Sequence, residues 1–255
     1  MSDPVFPLRL SEQEEFGIAL TLAKVSHFVH PQIVEAIQRI NESDADRLAD
    51  IIPQKVDGAR FLYPGSACVF PGVRRFVGRL NKKELLKYVP AKRTIIDDNR
   101  LPRHLWTFLA AGVAYSGPSW KTTGLGEFEL AHIFAHKSDE RKVEQNVFEH
   151  VDETVSPDGL FTCASNVVLV PKGLAKPTDH LKSVKRAFFK RYVSLYGEEI
   201  LPGISELKDA EIPSWYSRLE WSEPVLPDGW KQNLEKLREY RFRRLRGLFA
   251  KPLAE

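Results

Sequence analysis

The sequence predicts an α+β protein, on three observations. Helical periodicity dominates the first part of the chain, a strand, loop, strand, helix succession occupies residues 127–196, and a long amphipathic helix closes the sequence. With 255 residues, 43% of them hydrophobic and 28% charged, the chain can bury a sizeable core as one large or two small domains.

Ser11 and Glu14 have capping-box spacing, and Phe16, Leu20, Ala23 and Phe28 recur near helical intervals, so a first helix begins after Ser11. Pro31 suits a first helical position, and Ile33, Ile37 and Ile40 mark one face of a second helix. Ser43 with Asp46 predicts a restart as a third helix through Leu48 to Ile52. Residues 59–79 mix β-branched and aromatic side chains with Gly and Pro, which predicts short strands and turns, and Asn81 then opens a helix over NKKELLKYV. Pro102 and the apolar run HLWTFLAAGVAY predict another helix that ends at Gly117-Pro118. That turn is the expected boundary of a mainly helical region, residues 1–117.

Gly124-Leu125-Gly126 is too short for a nucleotide loop and marks the turn into a strand, EFELAHI at 127–133, which ends in His132. A second strand is SNVVLVP at 165–171. In PTDH, Thr178 or Asp179 is the expected cap of a helix that continues as LKSVKRAFFKRYVSLYG. Leu181, Val184, Phe188, Tyr192 and Leu195 share one face of it and leave Lys and Arg outside. Beyond Tyr196 the chain is rich in Pro and Trp, which predicts an irregular segment packed over another surface, with Trp215, Trp221 and Trp230 as anchors. The terminal helix, from about Lys231 to Phe249, carries Leu234, Leu237, Leu245 and Leu248 as an apolar stripe. Arg238, Arg241, Arg243, Arg244 and Arg246 crowd the rest, with phosphates, an acidic partner or the protein's own acidic loop as expected contacts.

The net charge of +3 does not announce a nucleic-acid binder, because local clusters drive such binding. From Lys172 to Tyr192 the local balance is +6, whereas from Ser138 to Asp158 it is −5. The acidic segment is therefore expected to screen a basic groove until a partner displaces it. No run approaches the roughly 20 apolar residues of a membrane-spanning helix, and the start lacks a signal peptide's pattern, so a cytoplasmic protein is expected. Cys68 and Cys163 have no neighbours at zinc-site spacing and read as structural thiols of a reducing compartment.

AHI at a strand end, SN opening the next strand and a His at a helix start resemble the HNH (ββα-metal) nuclease family in an AHI-type variant, over about 70 residues. The resemblance implies a ββα-metal unit at 118–197, embedded between the helical N-terminal region and a C-terminal wrap at 198–255. It implies His132 as general base, Asn166 as the brace of the loop that orients that base, and His180 as ligand of one divalent ion, Mg²⁺ or Mn²⁺. An imidazole is partly unprotonated near neutral pH, and a metal meets charge developing beside a polyanion better than Lys or Arg alone. Many members place Asp, Glu or His before the base; here Ala131 stands there, which leaves His136, Glu129 or Asp179 as second ligand. His132 and Asn166 lie 34 positions apart, so the hairpin holds an insertion. The zinc-binding Cys pairs of small members are missing, so the flanking regions must support the unit.

The function so implied is metal-dependent hydrolysis of phosphodiesters, DNA first, in a setting such as restriction or antiphage defence. Lys172, Lys176, Lys182, Lys185 and Arg186 are the expected nucleic-acid contacts. Residues 1–115 are a candidate specificity module, dimerisation surface or docking region for a regulatory subunit such as an ATPase. The alternative is a non-catalytic nucleic-acid-binding or scaffold subunit with a degenerate HNH unit. A helical reading of ELAHIFAHK would place His132 and His136 at zinc-gripping spacing, but Ile133 stands where metalloprotease chemistry needs a glutamate.

Overall fold

A computed structural model of the chain describes residues 10–51, 66–70, 101–134, 148–149, 162–197, 206–207 and 212–249, and it mixes helix with strand. The short strands and turns expected at 59–65 and 71–79, and the helix NKKELLKYV, lie outside the described residues.

Helix α1 (Glu12–Val25) starts on the expected reciprocal cap, Ser11 with Glu14, and buries Phe16, Ala19, Leu22 and Ala23. The chain then runs extended past the flank of the later hairpin, where His27 exchanges backbone hydrogen bonds with Leu169. Helix α2 (Pro31–Ser43) has Pro31 in its first turn and His30 as cap, the imidazole Nδ1 accepting from the Gln32 amide at 3.2 Å. Ile33, Val34 and Ile37 face inward. Helix α3 (Ala45–Ala49) is shorter than expected, and Asp44 heads it instead of Ser43. The Ser43 hydroxyl donates back to the Ile40 carbonyl, and the Asp44 carboxylate is engaged by arginines of the terminal helix.

Helix α4 (Leu101–Ala111) stops at Gly112, whose φ of 65° is left-handed, rather than at Gly117-Pro118. Gly117 and Pro118 instead begin helix α5 (Gly117–Thr122), capped by Ser116 and Ser119; proline fits a first turn because its missing N–H has no helical partner there. Gly124, at φ 79°, turns the chain through one 3₁₀ turn (Leu125–Glu127) into strand β1 (Phe128–His132).

Strand β2 (Phe148–Glu149) falls in the acidic segment, where the sequence predicts a loop. Strand β3 (Val167–Pro171) pairs antiparallel with β1, placing His132 opposite Val167 and Phe128 opposite Pro171. The single helix expected after Pro177 is two. Helix α6 (Lys176–His180) and helix α7 (Lys182–Tyr196) meet at Leu181, whose backbone is extended (φ −94°, ψ 110°). Leu181 donates to Pro177 and accepts from Lys185, so it closes one helix and opens the next. Neither Thr178 nor Asp179 is therefore a cap: both lie inside α6, and the Thr178 hydroxyl donates to the Ala175 carbonyl at 2.6 Å. Strand β4 (Glu206–Leu207) pairs with β2.

The irregular segment 212–229 packs through Trp215 against Phe16 and through Trp221, edge-on, against Phe28 and Phe188. Helix α8 (Trp230–Phe249) closes the structure against α4 and α2, burying Leu234, Leu237, Phe242 and Leu245. One hydrophobic cluster joins Leu22, Ile37, Leu105, Val168, Phe188 and Leu237, residues drawn from both sides of each expected boundary. No helix among the described residues is long and apolar enough to cross a membrane.

Candidate functional site

Strand alternation puts Phe128, Leu130 and His132 on one face of β1 and Glu129 and Ala131 on the other. His132, half-buried, is the last residue of the strand. Across from it the chain enters β3 through a 3₁₀ turn, Ala164–Asn166, all of which is buried. The Asn166 side chain spans the backbone of Phe134 on both sides: its Oδ1 accepts from the Phe134 N–H at 2.7 Å, and its Nδ2 donates to the Phe134 carbonyl at 3.3 Å. The Ile133 N–H adds a third bond, to the Asn166 carbonyl at 3.2 Å. The chain just after His132 is thus fixed by a buried amide, whose loss would leave two buried backbone groups unsatisfied at about 1–3 kcal/mol each.

Helix α7 forms the floor beneath this clasp. Phe134 stacks on Phe189 with centroids 5.1 Å apart and meets Tyr192 edge-on at 5.0 Å, while the Tyr192 and Ser165 hydroxyls share a hydrogen bond of 3.0 Å. Tyr192 is wholly buried, and that burial pushes its hydroxyl pKa well up, so it stays neutral.

The structure brings His132 and Asn166 together through the hairpin register. His180 ends α6 and is exposed. His136 and the side chain of Asp179 lie outside the described residues. Glu129 does not fit the part of second ligand: it is on the strand face opposite His132, and its carboxylate accepts from the Gly173 N–H at 3.1 Å, stapling β1 to the turn after β3. Among the described residues no three His, Cys, Asp or Glu side chains converge as a metal site.

Of the expected nucleic-acid contacts, Lys172, Lys176 and Lys182 are exposed. Arg186 is half-buried, and Lys185 is buried, its ammonium 5.6 Å from the Phe189 ring centroid. The expectation that α7 leaves its basic residues outside thus fails at Lys185. Lys185 stands at helical spacing from Leu181, Phe188 and Tyr192, on the face that α7 packs inward, so its alkyl stem goes to packing. The terminal arginines divide likewise. Arg243, Arg244 and Arg246 are exposed, whereas Arg241 is buried and Arg238 partly so, both bound to Asp44.

Cys68 and Cys163 face each other across an isolated antiparallel bridge as buried, reduced thiols. Burial, and then the neighbouring Cys163, push the Cys68 thiol well above its ordinary range, which suits a packed rather than a reactive group. His27 is a residue that sequence reasoning missed. Its backbone pairs with Leu169, its ring stands edge-on to Phe128 at 5.3 Å, and the register puts it on the same sheet face as His132. Burial lowers its pKa, favouring the neutral ring. It sits in a short link between two helices, where no periodicity could have flagged it.

No family model, no curated protein and no solved structure gives a significant match to this chain.

Proposed function

We propose that this protein is a metal-dependent endonuclease of the HNH type, acting first on DNA. The observation that carries the reading is the Asn166 clasp: a buried asparagine at the entry of one strand holds the backbone two residues past a histidine that ends the antiparallel neighbour. That is the division of labour the motif requires, an imidazole presented at a strand end and an amide that fixes the loop behind it. In the proposed reaction His132 takes a proton from water as the water oxygen bonds to phosphorus, and the departing oxygen is protonated from solvent. A bound Mg²⁺ or Mn²⁺, with His180 as the proposed ligand, would supply Lewis acidity for the charge that develops on the phosphate. The exposed Lys172, Lys176 and Lys182 favour phosphate contacts beside the unit. Restriction or antiphage defence, and control by a subunit such as an ATPase, belong to the same proposal.

The test is cleavage of supercoiled plasmid with Mg²⁺, Mn²⁺ or EDTA. Nicking that depends on metal and vanishes in His132→Ala and Asn166→Ala supports the reading; activity that persists in His132→Ala removes His132 as the base. A second reading, a non-catalytic binder with a degenerate unit, is favoured by Ala131, which stands where many HNH members carry a metal ligand. Calorimetric titration with Mn²⁺ separates the two, since an active site binds the ion and loses it in His180→Ala, while a degenerate one gives no heat.

A further inference from the structure

The clasp on Phe134 is itself held from a distance. The Asn166 N–H donates to the Cys163 carbonyl at 3.0 Å, so the position of Asn166 follows that of the turn beginning at Cys163. That turn is pinned to residues 66–70 by a two-rung antiparallel pairing, Ala164 N–H to the Ala67 carbonyl at 3.0 Å and Val69 N–H to the Thr162 carbonyl at 3.3 Å. Residues 66–70 are in turn held by Asn41 of α2. Its Nδ2 donates to the Ser66 carbonyl at 2.7 Å and to the Cys68 carbonyl at 3.0 Å. The remaining polar atom of Asn41, Oδ1, accepts from a guanidinium nitrogen of Arg241 in α8, and Arg241 is balanced by Asp44 at 2.9 Å. Asn41, Arg241, Asp44, Cys68, Cys163 and Asn166 are all buried. A continuous run of buried hydrogen bonds therefore leads from the terminal helix to the backbone behind His132.

We infer that Asn41 is a positioning residue for the site, a relay through which α8 fixes the loop that presents His132. The inference rests on the reading of His132 and Asn166 as the site. Asn41 suits the part because one amide group both donates and accepts: it gives two hydrogen bonds to the 66–68 backbone and takes one from a cation. A buried network of this kind fixes geometry only while every member is satisfied. Arg238 gives the internal control. It binds the same Asp44 from the partly exposed side, and its hydrogen bonds go to Asp44 and Glu235, not to Asn41.

The experiment is amide hydrogen exchange on the full chain, comparing wild type with Asn41→Ala, Asn41→Asp and Arg238→Ala. Asn41→Asp keeps an acceptor for Arg241 and replaces the donating amide with a carboxylate oxygen that repels the Ser66 and Cys68 carbonyls, so it breaks the same two bonds while the Arg241 charge stays paired should the alanine variant fail to fold. Expected is exchange about tenfold faster or more at Ile133 and Phe134 in both Asn41 variants, with the Leu169 amide, held by His27, within about twofold of wild type, and with neither change in Arg238→Ala. Unchanged exchange at Phe134, or equal acceleration at Phe134 and Leu169, overturns the relay. Plasmid cleavage is read in parallel. A fall in kcat with KM within about twofold supports positioning, and kcat at the wild-type value overturns it. If wild type cleaves under no metal, the nuclease reading fails, and the exchange data still decide whether Asn41 holds the loop.

Discussion

Replacing Asp44 with asparagine keeps the shape of the side chain and removes one charge from between two guanidinium groups. In the wild type, Arg241 reaches the carboxylate at 2.9 Å and Arg238 reaches it at 2.6 and 2.8 Å. The Asp44 side chain is 2% exposed and that of Arg241 3%, so the Asp44→Asn variant leaves a guanidinium charge inside the protein with only neutral amide oxygens as acceptors. For opposite charges about 4 Å apart at an effective dielectric near 20, the lost attraction is about 4 kcal/mol. The measured cost of breaking buried pairs, about 3–5 kcal/mol, agrees. In a chain of this size that is a fall in Tm of roughly 10 °C. Arg238→Ala removes the more exposed partner and should cost about 1 kcal/mol. The assay is urea unfolding at pH 7 followed by circular dichroism. The pH dependence adds a second check. Burial alone would raise the Asp44 carboxyl, but the Arg238 hydrogen bond and the charges of Arg241 and Arg238 outweigh it and hold it below the ordinary carboxylate range. Because the native pKa is depressed, the stabilisation is complete above the unfolded carboxylate pKa and is lost as pH falls through the native one. Asp44→Asn should lose that acid-side component. A variant within about 1 kcal/mol of wild type at pH 7 would contradict this account, because a buried charge would then have lost its partner at no cost.

Further outcomes follow from single sites. His104 accepts from the Tyr115 N–H at 2.8 Å, and burial, with the Arg244 charge second, brings its pKa down to about 4. An unfolded histidine takes a proton near pH 6.5, so stability should fall by up to about 3 kcal/mol between about pH 6.5 and 4 and be flat above; His104→Gln should remove this slope, and equal slopes in the two proteins would exclude His104 as its source. Gly112→Ala should cost about 2 kcal/mol in thermal melts, since φ is 65° and the new Cβ would run into Asn233 Oδ1; a higher Tm would contradict this. Asn166→Ala should cost about 2–6 kcal/mol by urea unfolding through the two Phe134 groups it abandons, and a neutral result would mean that the clasp is not a stabilising contact.

Local features were legible from residue order. The Ser11 cap, the proline that opens α2, the strand that ends on His132 and the asparagine that leads into β3 all depend on a few neighbouring residues, and each stands where its neighbours predict. Spacing and residue type report hydrogen bonds that close within a turn and faces that alternate along a strand. Which polar groups go inside was settled only when the chain folded. Helical spacing does put Lys185 in line with Leu181, Phe188 and Tyr192, and Arg241 in line with Leu237 and Leu245, but it names no partner that makes a buried charge tolerable. Lys185 lays its stem along the face it shares with Phe188 and Tyr192, with its ammonium near the Phe189 ring, and the burial of Arg241 is tolerable because Asp44 and Asn41, 197 and 200 positions away, supply the charge and the acceptor. The headship of α3 by Asp44 and the nearness of His27 to the hairpin have the same origin. Each is set by a partner far along the chain, and a linear pattern carries no record of which distant groups will meet.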